Sequence, residues 1–64
     1  MDNLTYDLVT LIYEKSKGLE AYDKYMQDAQ DNEGVSSLLT ELREQDAQAV
    51  SRLKDQLQGV LGNQ

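Results

Sequence analysis

The sequence predicts an all-α protein in which two long antiparallel helices form a hairpin that dimerises into a four-helix bundle. The 64 residues contain no proline, and strong helix formers dominate them. Apolar residues recur every three or four positions in two long segments, which is the spacing of one helix face. A polar, turn-like cluster at residues 31–34 separates the segments, and so short a connection makes the two helices antiparallel neighbours.

The first helix is predicted over about residues 4–30 of a single domain that spans residues 1–64. Asn3 is the predicted N-cap, and Asp7 places negative charge near the start of the helix. The apolar positions of this segment are Leu4, Leu8, Leu11, Ile12, Leu19, Tyr22, Tyr25, Met26 and Ala29.

The second helix is predicted over about residues 35–61. Either Asp31 or Asn32 can cap it, with Glu33 close to its first turn. Gly62 is predicted to lie just beyond its end, where glycine is common. Its apolar positions are Val35, Leu38, Leu39, Leu42, Ala49, Val50, Leu53, Leu57 and Val60.

Heptad letters describe how the two helices are predicted to pair. The a positions are Leu8, Lys15, Tyr22 and Ala29 in the first helix and Leu39, Asp46, Leu53 and Val60 in the second. Each d position follows three residues after an a, and each e position four residues after. Antiparallel helices pair a with d, and pairs whose residue numbers sum to 64 do this along the whole hairpin, for example Tyr25 with Leu39. Tyr22 and Tyr25 are predicted core residues whose hydroxyls can reach the centre of the hairpin.

A polar layer interrupts the apolar pattern halfway along the hairpin. It consists of Lys15, Gly18, Asp46 and Ala49. The simplest arrangement is an ion pair between Lys15 and Asp46 that fixes the register of the helices. The alternative is that Lys15 extends into solvent and Asp46 is hydrated. Gly18 is unfavourable inside a helix, so we expect it to permit a close approach by another group.

A second apolar line, at the e positions, predicts self-association. The predicted dimer face is Ile12, Leu19, Met26, Val50 and Leu57. We expect a single hairpin to leave much of this line in water, and two helices alone bury little surface. A homodimer or a higher oligomer is therefore predicted, and the alternative is that these side chains are rim contacts of a weak monomer.

The composition excludes several classes of function. The chain has no cysteine and no histidine, so thiolate and imidazole sites are excluded and only carboxylates remain as metal ligands. The net charge of −6 disfavours nucleic acid and anionic membrane surfaces as partners. There is no apolar segment long enough to span a membrane and no signal-peptide pattern, so we expect a cytoplasmic protein without a cofactor.

Two stretches resemble a helical hairpin of the ferritin-like superfamily, of the rubrerythrin or bacterioferritin type. They read EKSKGLEAYDKYMQDAQDNEG and LLTELREQDAQAVSRLKDQL. In that family the first helix supplies a glutamate seven residues before a tyrosine, where this chain has Gly18 before Tyr25. The second supplies Glu-x-x-His, where this chain has an aspartate, Asp46, and then Ala49. The resemblance implies the bundle scaffold without the di-iron site, and it is closest to small, histidine-poor bacterial half-ferritin domains of two helices.

The predicted function is therefore that of a non-catalytic structural or protein-interaction module, not an enzyme, whose partner is a second copy or an unidentified protein. The first alternative is a carboxylate-only metal-binding relative of ferritin. Its candidate ligands are Glu14, Glu20, Glu41 and Glu44, although solvent-exposed surface residues are the simpler interpretation. The second alternative is a regulator that occupies a groove of its partner as a helical hairpin.

Overall fold

A computed structural model describes residues 2–62 and contains two α-helices and, within those residues, no strand. Helix α1 spans Asn3–Asp28 and helix α2 spans Glu33–Gly62. The predicted all-helical class and the two-helix hairpin are confirmed. The Cα atoms extend over 50 × 14 × 11 Å, so the molecule is a narrow rod. Within the described residues, neither helix has an 18-residue stretch that is apolar enough to cross a membrane.

Helix α1 is capped by Asp2 and not by the predicted Asn3. The Asp2 backbone is extended, and its carboxylate accepts a hydrogen bond of 2.8 Å from the backbone N–H of Thr5. That N–H is the main cause that lowers the pKa of the Asp2 carboxyl. Aspartate and asparagine are similar N-caps, but only aspartate also offsets the positive end of the helix dipole, which favours the earlier start.

The connection between the helices is tied down by local hydrogen bonds. The Asn32 side chain accepts a hydrogen bond of 3.0 Å from the backbone N–H of Val35, so Asn32, one of the two predicted residues, caps α2. The Ser36 hydroxyl donates to the Ala29 carbonyl at 2.6 Å. This second bond joins the first turn of α2 to the end of α1 and sets the register of the hairpin near the turn.

Helix α2 continues through both of its late glycines. Gly59 and Gly62 are helical, and no described glycine has a positive φ, so α2 includes Gly62, one residue beyond the predicted end at about residue 61. One glycine costs a helix only about 1 kcal/mol relative to alanine. That penalty is too small to end a helix of 30 residues that packs along a partner helix.

Burial along both helices defines one contact line between them. The half-buried and buried residues of α1 on this line are Thr5, Leu8, Ile12, Lys15, Leu19, Tyr22, Met26 and Ala29. Those of α2 are Ser36, Leu39, Asp46, Val50, Leu53, Leu57 and Val60, and the exposed Arg43 completes the spacing. All of them are a or e positions, and the half-buried Ser16, Ala21 and Ala49 lie beside the line. From the bonded Ala29 and Ser36 we infer that residues facing each other across the line have numbers that sum to 65. We call this contact the a/e seam.

The a/e seam differs from the predicted a/d contact by a rotation of about 50° in each helix. The five residues of the predicted dimer face, Ile12, Leu19, Met26, Val50 and Leu57, consequently lie between α1 and α2 of the same chain. Val50 is 6% exposed and the other four are half-buried, so a single hairpin does not leave this line in water. At the hairpin centre the e positions carry the large Leu19 and Val50, whereas the d positions carry Gly18 and Ala49, and the large side chains fill the contact better.

Candidate docking face and central polar layer

The d positions of both helices form an open apolar surface on one side of the hairpin. In an antiparallel pair that packs through a and e, the d positions of the two helices emerge on the same side and the b positions on the opposite side. We define the a/d face by its d residues, with the neighbouring a residues at its floor. The d residues are Leu4, Leu11, Gly18, Tyr25, Val35, Leu42, Ala49 and Gln56. Five of them are large, apolar and exposed, from 37% at Leu42 to 56% at Leu4.

Two open grooves between the helices lie on the a/d face. The groove near the turn includes Tyr25, Ala29, Val35 and Leu39. The other groove is lined by Leu11, Lys15, Ala49, Arg52, Leu53 and Gln56. Four of the predicted pairs whose numbers sum to 64 line these grooves, and each joins an a residue of the a/e seam to a d residue beside it: Leu11–Leu53, Lys15–Ala49, Tyr25–Leu39 and Ala29–Val35.

The opposite surface is mainly polar. We call it the b face, and its residues are Val9, Ser16, Asp23, Thr40, Ala47, Lys54 and Leu61. Asp23 lies 3.6 Å from Arg43 across the helices, and Thr40 contacts the sulfur of Met26 at 3.8 Å. The Asp23–Arg43 pair is well exposed, so it contributes little to stability. The b face has isolated apolar side chains but no continuous apolar path between the helices.

The four residues of the predicted polar layer lie together at the middle of the a/d face. Lys15, Asp46 and Ala49 are half-buried and Gly18 is exposed. A Cβ atom added to Gly18 would meet nothing within 4 Å. The close approach predicted at Gly18 does not occur within the single chain, and Gly18 instead leaves a notch in the exposed surface.

Asp46 bonds to Tyr22 and not to Lys15. The Tyr22 hydroxyl donates to the Asp46 carboxylate at 2.7 Å, and among the described residues the ion pair is between Asp23 and Arg43, so the predicted Lys15–Asp46 pair is wrong. The reason is the tilt of each Cα–Cβ bond toward the helix N-terminus. The numbers of Tyr22 and Asp46 sum to more than 65, so their Cα–Cβ bonds tilt toward each other. The numbers of Lys15 and Asp46 sum to less than 65, so their Cα–Cβ bonds tilt apart.

The hydrogen bond to Asp46 changes the acidity of Tyr22. It is the main cause that raises the pKa of the Tyr22 phenol above its ordinary value of 10.0, and desolvation and the Asp46 charge add to the effect. The Tyr25 ring meets the Tyr22 ring edge-on, with centroids 5.8 Å apart and planes at 79°. The expectation that a tyrosine hydroxyl reaches the polar layer is confirmed for Tyr22, and the half-exposed Tyr25 extends the cluster onto the a/d face.

The carboxylates of the described residues do not converge. Between residues 2 and 62, no three Asp or Glu side chains come together closely enough to hold a metal ion. The four candidate ligands Glu14, Glu20, Glu41 and Glu44 are all exposed. What the geometry offers is a binding surface: an apolar face with two grooves, a central notch and a small polar cluster.

Comparisons with known proteins do not place the chain in a family. No protein-family model matches it, and searches of curated proteins and of solved structures find no match.

Proposed function

We propose that the protein is a non-catalytic structural or protein-interaction module, and that a second copy covers its a/d face to form a ferritin-like four-helix bundle. The observation that supports this most strongly is the continuity of the a/d face with the core of the hairpin. The a residues lie in the a/e seam and also at the floor of the a/d face. Three adjacent apolar lines, e, a and d, are the pattern of a helix that packs against two neighbours in a bundle.

The amount of exposed surface also supports a second copy as the partner. A compact monomer of 7.3 kDa exposes about 4,200 Å². This chain exposes 5037 Å², an excess of roughly 800 to 900 Å². A standard interface buries about 800 Å² on each partner. The excess is therefore the area that one additional hairpin would cover.

The relation to ferritin-like proteins and the cytoplasmic location stay predictions from the sequence. The dispersed carboxylates do not favour the carboxylate-metal alternative. The regulator alternative requires a hairpin that stays monomeric until it meets its partner, so the oligomeric state of the isolated protein distinguishes it from the proposal.

The test compares two substitutions that differ only in the face they alter. Leu11 on the a/d face and Val9 on the b face lie in the same helix, and each is 42% exposed. We expect the wild type and Val9→Asp to be dimers or larger by light scattering with size-exclusion chromatography. Leu11→Asp should dissociate because it places charge in an apolar interface. A wild type that is monomeric at tens of micromolar, or equal behaviour of the two variants, would overturn the proposal.

A further inference from the structure

We propose that the two copies meet with α1 of one against α2 of the other, related by a two-fold axis parallel to the helices, and that Glu14 of each copy pairs with Arg52 of the other. This inference rests on the proposed function, because it requires that a second copy covers the a/d face. It adds the orientation of that copy and the contacts that select it.

The charges along the g positions select the orientation. In a four-helix bundle whose contact inside each hairpin runs through a and e, the g positions, each one residue before an a, flank the contact between hairpins. In α1 the g residues are Asp7, Glu14, Ala21 and Asp28, and in α2 they are Leu38, Gln45, Arg52 and Gly59. One flank is acidic, and the other is neutral except for a single arginine.

A second hairpin can cover the a/d face in two ways. If α1 lies against α1 of the second copy, the acidic flanks of the two copies meet, with three carboxylates on each side and no basic partner. Such like-charge contacts oppose association. If α1 lies against α2 of the second copy, the acidic flank meets the flank that carries Arg52, and the repulsion is replaced by attraction.

The axis then fixes the register without further choice, because a rotation about an axis parallel to the helices leaves heights along the bundle unchanged. Two residues at the same height within one chain therefore also lie at the same height when they belong to different copies. Glu14 and Arg52 have numbers that sum to 66, as do Asp23 and Arg43, which approach within 3.6 Å inside the hairpin. The observed pair on the b face shows that an acidic and a basic side chain at this offset along the bundle can reach each other.

The d residues fit this register. When two residues from different copies have numbers that sum to 67, their Cα–Cβ bonds tilt toward each other. Gly18 and Ala49 form one such pair, and Tyr25 and Leu42 form another. Small residues meet at the centre, where the space beside Gly18 is open in the single chain. Larger apolar residues meet toward the turn. The central layer would therefore allow the two hairpins to approach closely, which gives the interior glycine a function.

Crosslinking between single-cysteine variants tests the orientation, because the natural chain has no cysteine. Ala21 and Gln45 are g residues whose numbers also sum to 66, and they lie one heptad closer to the turn than the proposed Glu14–Arg52 pair. We expect mild oxidation of mixed Ala21→Cys and Gln45→Cys proteins to give mainly the hetero-disulfide dimer. Disulfides that join only two molecules of the same variant would overturn the orientation and leave the proposed function standing. A dimer detected by light scattering that forms no hetero-disulfide would do the same. A monomer would overturn both.

Charge reversal supplies a second measurement that does not depend on disulfide geometry. Glu14→Arg should weaken the dimer about ten-fold in Kd, and adding Arg52→Glu should restore most of the loss. The control is Glu20→Arg, which changes the net charge equally at an outward f position. If α1 faces α1, Glu14→Arg relieves repulsion and tightens the dimer, so a Kd lower than that of the control would overturn the inference.

Discussion

The a/d face and the b face belong to the same two helices and both carry large exposed apolar side chains, five on the a/d face and two, Val9 and Leu61, on the b face, and they also differ in what lies between those side chains. On the b face, Val9 and Leu61 are separated by polar residues such as Asp23 and Lys54. On the a/d face, the exposed side chains continue into the half-buried a residues of the seam. Isolated apolar residues are normal on protein surfaces, whereas a continuous patch indicates an interaction site. Both the number of exposed apolar side chains and their continuity with the seam therefore distinguish the two faces.

The largest effect is expected where both faces depend on the same contact. Leu19→Asp places a charge in the a/e seam, so it should unfold the hairpin and remove both faces together. A loss of several kcal/mol is expected, which exceeds the stability that a domain of this size usually has. Circular dichroism should show little helix at any protein concentration. A helical Leu19→Asp protein that is merely monomeric would mean that the seam, and not the a/d face, is the contact between copies.

A smaller and more informative effect is expected at Gly18. In a single hairpin, Gly18→Ala should raise stability by about 1 kcal/mol, because the added methyl meets nothing and the helix gains propensity. In the proposed dimer the same methyl intrudes on Ala49 of the second copy and should weaken association. The sign of the change in melting temperature, measured against protein concentration, decides between these outcomes.

Gly59→Ala is the matched control for that measurement. Gly59 is also an interior helical glycine with nothing within 4 Å of an added Cβ. It is a g residue at the edge of the proposed contact between hairpins and lies far from the central layer, where the d residues Gly18 and Ala49 meet. Gly59→Ala should stabilise the protein whether or not it dimerises. If Gly18→Ala stabilises to the same degree at all concentrations, no second chain approaches the notch.

The smallest effect concerns the pH dependence of the Tyr22–Asp46 bond. Because the pKa of Tyr22 is raised in the folded state, the bond contributes its full stability below about pH 10 and loses it as the pH rises through the raised value. Tyr22→Phe should remove this part of the alkaline loss of stability, as measured by urea unfolding at several pH values. In double-mutant cycles, Tyr22 should couple to Asp46 and Lys15 should not. A coupling between Lys15 and Asp46 would restore the ion pair that the sequence predicted.

Local features of the fold could be predicted from the sequence, but the rotation of the helices could not. The turn, the helical class and the Asn32 cap depend on neighbouring residues, and the sequence contains that information directly. The a/e and a/d contacts are both apolar and share the a line, so periodicity alone does not separate them. The choice depends on how large side chains such as Leu19 and Val50 fill the centre of the seam, which is a property of the packed pair of helices.

The Lys15–Asp46 prediction failed for a different reason, because the information needed was present. Lys15, Tyr22 and Asp46 are all a positions of their helices. The heptad letters do not include the direction in which a side chain leans along its helix. Adding that direction to the register favours Tyr22 as the partner of Asp46. Two polar residues on neighbouring helices can therefore pair only where their Cα–Cβ bonds converge.

Residues that face each other across the a/e seam have numbers with a constant sum, and this has a consequence for how the chain folds. The sequence separation between facing residues grows steadily, from 7 for Ala29 and Ser36 to 55 for Thr5 and Val60. Once the turn has formed, each further contact closes only a few additional residues, and the entropy cost of each step is small. The hairpin should therefore close like a zipper from the turn outward. Amide hydrogen exchange should be slowest near the turn and centre, and fastest toward Asn3 and Gly62, where opening releases the fewest contacts.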